Sequence, residues 1–597
     1  MCGISGFTWE DKDLAKRMNS SISYRGPNDR GIYCEKDVTL GHTRLSIIDL
    51  SKAGHQPMCN EDRTMWLVFN GEIYNFKDIR PKLQALGHSF ASNTDSEVII
   101  HSYEEYGTSC LEHFNGMFAF AIWDSRKKIL FLARDRLGVK PLYYMKIGEN
   151  LVFSSEIKAL LNHDFRMEIN HKALYEYLTY RFIPNEQTML KGIRKLLPGH
   201  YLIFKKNHIE VRKYWDIKWD YSRLKENEVI SKLDSLLNDA VQKRLVSDVP
   251  LGAFISGGLD SSLIAAINSR LRADKVKTFT VGFGHERDEF KYARQVSEYL
   301  ETEHKEIQLK YEEMTKELPK IIWYMDEPNS DITMVPLYFL SRFSKKYVTV
   351  VNTGEGADEL FSGYQHYKIG AGAFEFVPIK IKRQIYRWYY SPFKRKERDA
   401  LFLKPIAQSR RLDKDGGILD KTLRAKRPVN FLNKILLFDI KNELPNWQLT
   451  RVDRMTMAHG MEARVPFLDY RIVELAAKIP PSFKQRGLEG KYVLKKVAKK
   501  YLPKNIVYRN KQGFTTPRYE WIREDLHWLS DKLLSKESVN ARRLFAYDAV
   551  EKIKHNAKKK DRPFRNYSYK LIILLMLEMW MRIYLDGETV SVLRRDI

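Results

Sequence analysis

Val249-Pro-Leu-Gly-Ala-Phe-Ile-Ser-Gly-Gly-Leu-Asp-Ser-Ser-Leu263 is the stretch whose reading decides the fold. Val249 to Ile255 reads as a short apolar strand, and the residues from Ser262 onward as a helix with an apolar face. Between them lies the Gly257-Gly258 turn, where missing Cβ atoms let backbone N–H groups approach a ligand. Ser261 and Ser262 add hydroxyl donors at the helix start, where free N–H groups and the macrodipole favour an anion. A strand, a glycine–serine turn and a helix in this order make a phosphate cradle. No Lys follows the glycines, so it is not the GxxxxGK[ST] loop. Asp260 stands inside the cradle instead, suited to holding Mg²⁺ against phosphate oxygens. The plainer alternative is an ordinary strand–turn–helix junction of small residues.

At 597 residues the chain exceeds what one hydrophobic core supports, and two globular domains are expected. A 44% hydrophobic fraction fits folded rather than disordered structure. The cysteines Cys2, Cys34, Cys59 and Cys110 all lie early, and none forms a CxxC pair. They argue against a disulfide scaffold and a zinc site, and for a reducing compartment. The opening residues carry no apolar run behind a basic start, so no secretory signal is expected and the cytoplasm is the expected compartment. The late apolar run Leu571–Trp580 is too short to span a bilayer and contains Glu578, so a buried closing helix is expected. The net charge of +26 lies almost wholly beyond residue 200, concentrated over 371–440 and 481–597. Such patches suit polyanions or an anionic membrane surface, but no RNA- or DNA-binding motif accompanies them. A solvated basic face that attracts anionic substrates is the simpler reading, and no nucleic-acid partner is expected.

With the initiator Met removed, Cys2 carries both a thiol and a free α-amine. That amine, with a reference pKa of about 7.7–8.0, can act as base for its own side chain. Four segments follow in order: Tyr24-Arg-Gly-Pro-Asn-Asp29, Gly41-His-Thr-Arg-Leu-Ser-Ile-Ile-Asp49, Phe69-Asn-Gly-Glu-Ile-Tyr-Asn75 and Thr94-Asp-Ser-Glu97. Taken singly, Arg44 could be a surface ion pair and Asn70-Gly71 a tight hairpin turn. As an ordered set, the segments resemble class II glutamine amidotransferases, the N-terminal-nucleophile glutaminases. The resemblance implies that Cys2 attacks the glutamine carboxamide and that the Asn70 side chain and Gly71 N–H form the oxyanion hole. It further implies that the Arg44 fork binds the α-carboxylate, that Glu72 and Asp95 receive the α-ammonium, and that Leu45 and Ile48 line the site. Apolar strands at 116–124, 129–135 and 151–155 alternate with turns, which by itself gives only mixed α and β. An αββα sandwich over residues 1–205 follows from the resemblance.

A polar, Trp- and Lys-rich linker over 206–226 is expected to lead into a second domain, 227–597, opening with a helix over 233–246. Thr278–Phe283 reads as the next strand of a parallel sheet, and Val348–Asn352 as a strand covered on both faces. Directly after it comes Thr353-Gly-Glu-Gly-Ala-Asp-Glu-Leu-Phe-Ser-Gly-Tyr364, a second glycine-rich turn holding Glu355 and Asp358. Such loops converge at the carboxyl ends of parallel strands, where a ligand crevice forms. Ser256-Gly-Gly-Leu-Asp-Ser-Ser262 resembles the pyrophosphate loop of ATP pyrophosphatases. Residues 451–469, Gly490-Lys-Tyr-Val-Leu494, Lys511-Gln-Gly-Phe-Thr-Thr-Pro517 and Trp521 are similar to the synthetase domain of glutamine-hydrolysing asparagine synthetases. An α/β ATP pyrophosphatase domain with a parallel sheet and a helical C-terminal part is implied. By the same resemblance, backbone groups of Ile255 and Val281 hold the adenine of ATP. Ser256, Gly257, Gly258, Ser261, Ser262, Thr353 and Gly354 would cradle its phosphates and Lys491 would neutralise them. Asp260 and Asp358 would share Mg²⁺, and Glu355 would take a proton from ammonia or orient it.

Two half-reactions are therefore implied. Cys2 releases ammonia from L-glutamine. ATP activates a carboxylate as an acyl-adenylate, and ammonia guided internally attacks it to give an amide, AMP and pyrophosphate. The acceptor is open. Met325-Asp-Glu-Pro-Asn-Ser-Asp-Ile-Thr-Met-Val-Pro336 stands where the best-studied asparagine synthetases carry a Thr-Thr-Ile-Arg-type segment. Asp326, Glu327, Asn329 and Asp331 are expected to select an α-ammonium, which favours L-aspartate. The basic second domain equally suits a nucleotide-linked sugar uronic acid of surface polysaccharide synthesis. Intact Cys2, Asp260, Glu355, Asp358 and Lys491 oppose a regulatory pseudoenzyme. The amidotransferase domain and the lack of a CxxC oppose a tRNA-thiolating pyrophosphatase. The reading leaves room for a homodimer.

Overall fold

The computed structural model describes residues 1–219, 224–285, 288–371, 374–403, 417–426, 430–509, 518–559 and 566–595. The Lys511–Pro517 match lies outside the described residues.

In the strand Gly3–Phe7, Ile4 and Phe7 stand an odd number of positions apart and so face opposite sides. Ile4 meets Leu40, Val68, Ala121, Leu132 and Phe153 in a core between two sheets. Phe7 packs with Leu14 and Met18 of the helix Lys12–Ser21. One sheet runs in the spatial order Ile193–Lys195, Tyr143–Ile147, Asn150–Ser154, Gly3–Phe7, Val38–Arg44, Asp29–Glu35. The other runs His208–Lys213, His200–Lys205, Ile129–Arg134, Gly116–Asp124, Met65–Ile73, Met58–Cys59. The helices Phe76–Ala85 and Glu97–Tyr106 cover its outer face through Ile79, Leu83, Val98, Ile99 and Tyr103. This is the αββα sandwich. The strand His208–Lys213 falls where a linker is expected. Lys206 and Asn207 both have positive φ, 47° and 63°, which is the two-residue turn that folds a strand straight back, and Ile209 then packs on the sandwich core.

The second domain holds five parallel strands in the order Glu303–Gln308, Lys277–Gly282, Leu251–Phe254, Val350–Asn352, Glu462–Arg464. Leu251–Phe254 is the first of them in sequence and sits centrally, so chain connections leave it and Val350–Asn352 in opposite directions. That switch point opens a crevice beyond their carboxyl ends. The helix expected over 233–246 spans Glu226–Lys243 instead, its start capped where the Glu228 carboxylate accepts the Lys225 N–H at 3.0 Å. Leu571–Trp580 lies within the helix Tyr567–Tyr584, buried as expected. Among the described residues, no helix is long and apolar enough to cross a membrane.

The helix Leu449–Met457 joins the two domains through buried charges. Its Asp453 accepts from Arg25 at 2.9 and 3.3 Å, with Lys140 at 3.4 Å. Its Arg454 reaches Glu156 at 2.5 Å and Asp326 at 3.1 Å. Arg25 also meets Glu156 at 2.6 Å, and Lys158 meets Asp326 at 2.8 Å. Burial works against a charged Glu156, but Arg454, Lys158 and Arg25 outweigh it and hold its carboxyl well below the usual range. Two expected acceptor ligands are thereby reassigned. Asp326 serves this network and accepts the Ile157 N–H at 2.5 Å, and Glu327 lies 3.4 Å from Lys195. Buried cations of the first domain draw these acids into the interface.

Replacing Arg454 with Met removes one buried cation from both Glu156 and Asp326 and leaves them to Arg25 and Lys158, an expected loss of about 3 kcal/mol in urea unfolding. An unchanged unfolding midpoint would contradict the network's role. Because the Glu156 pKa is depressed, its contribution is present above its ordinary value of 4.5 and is lost as pH falls toward the folded value.

Candidate active sites

The strand Met65–Ile73 lays Asn70, Gly71 and Glu72 beside the N-terminus. The Cys2 N–H donates to Asn70 Oδ1 at 3.2 Å, and the buried Asn70 Nδ2 finds no protein acceptor. Only glycine fits at 71, since a Cβ there would stand 2.1 Å from the Met117 carbonyl oxygen. Burial pushes the Cys2 thiol up, opposed by the N-terminal amine, a backbone hydrogen bond from Leu45 and the Arg44 charge. Arg44, at the end of the strand Val38–Arg44, donates to the carbonyls of Ser51, at 2.8 Å, and Asp49. Ile48 packs alongside, partly buried.

Asp95 accepts the Ile73 N–H at 2.7 Å. Burial, aided by Glu462, pushes Asp95 up to about 7, and burial with Glu462 and Asp95 pushes Glu72 well above the carboxylate range. Glu462 and Arg464 come from the second domain. Arg464 lies 2.5 Å from Glu462 and 3.5 Å from Glu72, and Glu462 lies 3.6 Å from the Met1 amine. These two residues stand inside the quoted 451–469 match, yet no local pattern marks them as part of the first domain's pocket. Cys2, Arg44, Leu45, Asn70, Gly71, Glu72 and Asp95 thus gather at one end of the sandwich.

At the crevice, Gly257 has φ +65°, and a Cβ would meet Tyr292 Cβ at 2.4 Å. A Cβ on Gly354 would stand 2.8 Å from the Ser261 nitrogen, so the two glycine-rich loops touch. Ser256 Oγ and Ser261 Oγ are 3.2 Å apart, and the buried Ser262 Oγ finds no protein partner. Lys491 Nζ sits 2.5 Å from Asp260 and 2.6 Å from Asp358. Burial opposes its charge, but the two carboxylates raise its pKa overall. The Ile255 N–H donates to the Phe279 carbonyl at 3.0 Å, Val281 lies buried on the adjacent strand, and the Thr353 N–H donates to the Arg464 carbonyl at 2.9 Å.

Glu355 is pushed up by burial, with Arg451 pulling the other way at 2.8 Å. Arg451 also donates to Asp331 and Thr333, both at 2.6 Å. Asp331 is therefore the one acid of the four expected acceptor ligands that faces this site. Asn329 is turned to backbone, its Oδ1 accepting the Asp331 N–H at 2.8 Å and its Nδ2 donating to the Trp447 carbonyl at 3.5 Å. Arg509 is an addition that sequence reasoning missed. It donates to the carbonyls of Ser256 and Gly257 at 3.3 and 2.9 Å and stacks 3.5 Å over Tyr292. It stands two residues before the quoted Lys511–Pro517 match, outside the residues that carry the resemblance.

Comparison with known proteins agrees with this geometry. Residues 1–215 match the glutamine amidotransferase domain family and residues 232–582 the asparagine synthase family. The chain is 32% identical over 576 residues to glutamine-hydrolyzing asparagine synthetase 1 of Bacillus subtilis, covering 91% of each protein. It is 33% identical over 571 residues to asparagine synthetase 3 of the same organism, covering 90% of this chain and 91% of the relative. A Penicillium rubens protein named amidase chyE is 28% identical over 652 residues, covering 94% of this chain and 96% of the relative. The chain belongs to the asparagine synthase family and is a glutamine-dependent, ATP-using amide ligase.

Proposed function

We propose that the chain converts L-aspartate to L-asparagine, with L-glutamine as nitrogen donor. The observation that carries the choice of acceptor is the acidic wall beside Glu355. Asp331 shares Arg451 with it. Glu359, Asp439 and Glu443 are buried nearby, held by Gln448, Tyr367, Tyr386 and Tyr390, burial pushing Glu359 up to about 8 and Asp439 up to about 7. The cations among them, Arg451 and Arg181, are already taken up by Asp331, Glu355 and Glu443. A pocket richer in acids than in free cations welcomes an α-ammonium and repels the diphosphate of a nucleotide sugar.

In this reading Cys2, once Met1 is removed, attacks the glutamine carboxamide with its own α-amine as base. Asn70 Nδ2 and the Gly71 N–H receive the developing oxyanion. Arg44 takes the α-carboxylate, and Glu72 and Asp95 take the α-ammonium, whose positive charge relieves two acids that cannot both ionise cheaply side by side. Ammonia leaves along the interface, where Met117, Leu137, Val139, Val465 and Leu468 line a small cavity. Met117 abuts Gly71 at one end, and Leu468 abuts Gly356, next to Glu355, at the other. Asp135, Arg136 and Arg244 share the lining, so the route is a mixed one, with apolar side chains between charged groups that are themselves paired or hydrogen-bonded.

The serines and glycines of the two loops hold the ATP phosphates, with Ile255 and Val281 beside the adenine. The unpartnered Ser262 hydroxyl and two carboxylates converging on one ammonium fit a polyphosphate carrying a divalent cation. Asp260 and Asp358 would hold Mg²⁺, which when bound neutralises phosphate charge. Lys491 supplies a further fixed positive charge, and Glu355, its pKa raised, accepts a proton from the attacking ammonia. The cytoplasm is the compartment such a pathway enzyme would occupy.

Asn70→Ala is expected to lower kcat for glutamine hydrolysis about 10²–10³-fold while ammonia-driven synthesis continues. Equal loss of both activities would contradict the assignment. Pyrophosphate release with ATP, Mg²⁺ and glutamine should depend on L-aspartate and yield asparagine. Release with a UDP-linked uronic acid alone would overturn aspartate as acceptor and make Asp331 part of a sugar site.

A further inference from the structure

Outside both catalytic constellations, the glutaminase sandwich gathers four side chains that the amide-forming reaction does not use. They come from three places: Glu61 from the turn before the strand Met65–Ile73, His88 from the segment after the helix Phe76–Ala85, and His101 and Glu104 from the helix Glu97–Tyr106. The Nδ1 atom of each imidazole turns toward both carboxylates. His88 Nδ1 is 3.3 Å from Glu61 and 3.8 Å from Glu104, and His101 Nδ1 is 3.4 Å from Glu61 and 3.1 Å from Glu104. Zinc bonds of about 2.0–2.2 Å set tetrahedral ligand atoms about 3.3–3.6 Å apart. The Nδ1–carboxylate distances of 3.1–3.8 Å bracket that range, and one ligand atom from each residue lies within 4.8 Å of all the others, so binding draws the four slightly together. We propose that Glu61, His88, His101 and Glu104 form a Zn²⁺ site of the His₂Glu₂ type. This site departs from the expectation, drawn from the lack of a CxxC pair, that the chain holds no zinc site: its ligands are imidazoles and carboxylates, which cysteine spacing does not report.

The surroundings are those a bound metal needs. A ligating imidazole holds its orientation by giving its other ring nitrogen to a carboxylate. His88 Nε2 lies 3.0 Å from Glu105, and His101 Nε2 faces Glu97 at 3.8 Å, with no closer partner. Glu97 is itself fixed by the N–H groups of Ala91 and Ser92 at 2.6 and 2.8 Å. The carboxylates are likewise oriented: Glu61 accepts the Ser89 N–H at 2.9 Å, and Glu104 accepts from Asn60 Nδ2 at 2.7 Å. The ring of Phe90 closes one side against His101. Glu61, 38% exposed, leaves the other side open for entry. Burial works against a charged His101, but Glu104, Glu97 and Glu61 raise its pKa to about 9. The site ties both ends of the segment 88–101, which carries Asp95, to the sheet beneath.

The test uses the full-length chain, stripped by chelation and titrated with Zn²⁺, or with Co²⁺ as a spectroscopic probe, in excess Mg²⁺ to occupy Asp260 and Asp358. One equivalent should bind, with the strong visible bands of four-coordinate Co²⁺, and binding should raise the melting temperature. His88→Ala and Glu61→Gln, both at the open side, should abolish these bands while ammonia-driven synthesis is retained. Glu105→Gln should weaken binding about 10–100-fold. Absence of a stoichiometric ion, or binding that all three variants leave intact, would overturn the site and leave an imidazolium–carboxylate cluster.

Discussion

The buried charges on the helix Leu449–Met457 are the constraint on which the rest of the molecule depends. Asp453 and Arg454 sit in a dry interface where isolated charges are prohibitively costly. They are tolerated because the first domain presents Arg25, Lys140, Glu156 and Lys158 at matching positions, with Asp326 closing the set. A network of this kind adds little net stability over an apolar interface, but it punishes any other docking, since a shifted register leaves charges unpaired. The two domains are therefore fixed relative to one another rather than tethered.

That fixed docking has a chemical use. Two positions before Asp453 on the same helix, Arg451 turns the other way and holds Glu355. A short step along the chain, Arg464 touches both centres at once: its carbonyl accepts the Thr353 N–H of the phosphate loop, and its guanidinium lies beside Glu72. The strand Glu462–Arg464 thus borders the crevice at the sheet's carboxyl end on one side and the proposed glutamine ligand Glu72 on the other. Displacement of that strand alters both sites together. The same docking encloses a small cavity between Met117 of the first domain and Leu468 of the second.

The sequence showed clearly what is made of contiguous residues. Ser256–Ser262 and Thr353–Asp358 each contain their own turn, glycine and acid, and the fold brings them into contact as expected. Cys2, Arg44 and Asn70–Glu72 stand in short, recognisable segments, and the fold gathers them at one end of the sandwich. What failed to show was context from across the chain. Asp326 and Glu327 read as an acidic acceptor pocket but are consumed by first-domain cations that no local pattern reveals. Glu462 and Arg464 act in a domain other than their own. Glu61, His88, His101 and Glu104 follow no metal-motif spacing and converge only because two helices and a turn pack on one sheet. The linker failed for a different reason: the positive φ angles of Lys206 and Asn207 turn an apparently polar tail into an edge strand.

The claim that docking creates one enzyme with an internal path is most directly tested by isotope competition. Glutamine labelled with ¹⁵N in its amide would be supplied with ATP, Mg²⁺ and the carboxylate acceptor, in a large excess of unlabelled ammonium. Internal transfer predicts an amide product that keeps the ¹⁵N of glutamine in spite of the unlabelled pool. A product diluted to the isotope ratio of the bulk ammonium would mean that nitrogen leaves the protein between the two sites, and would contradict the account.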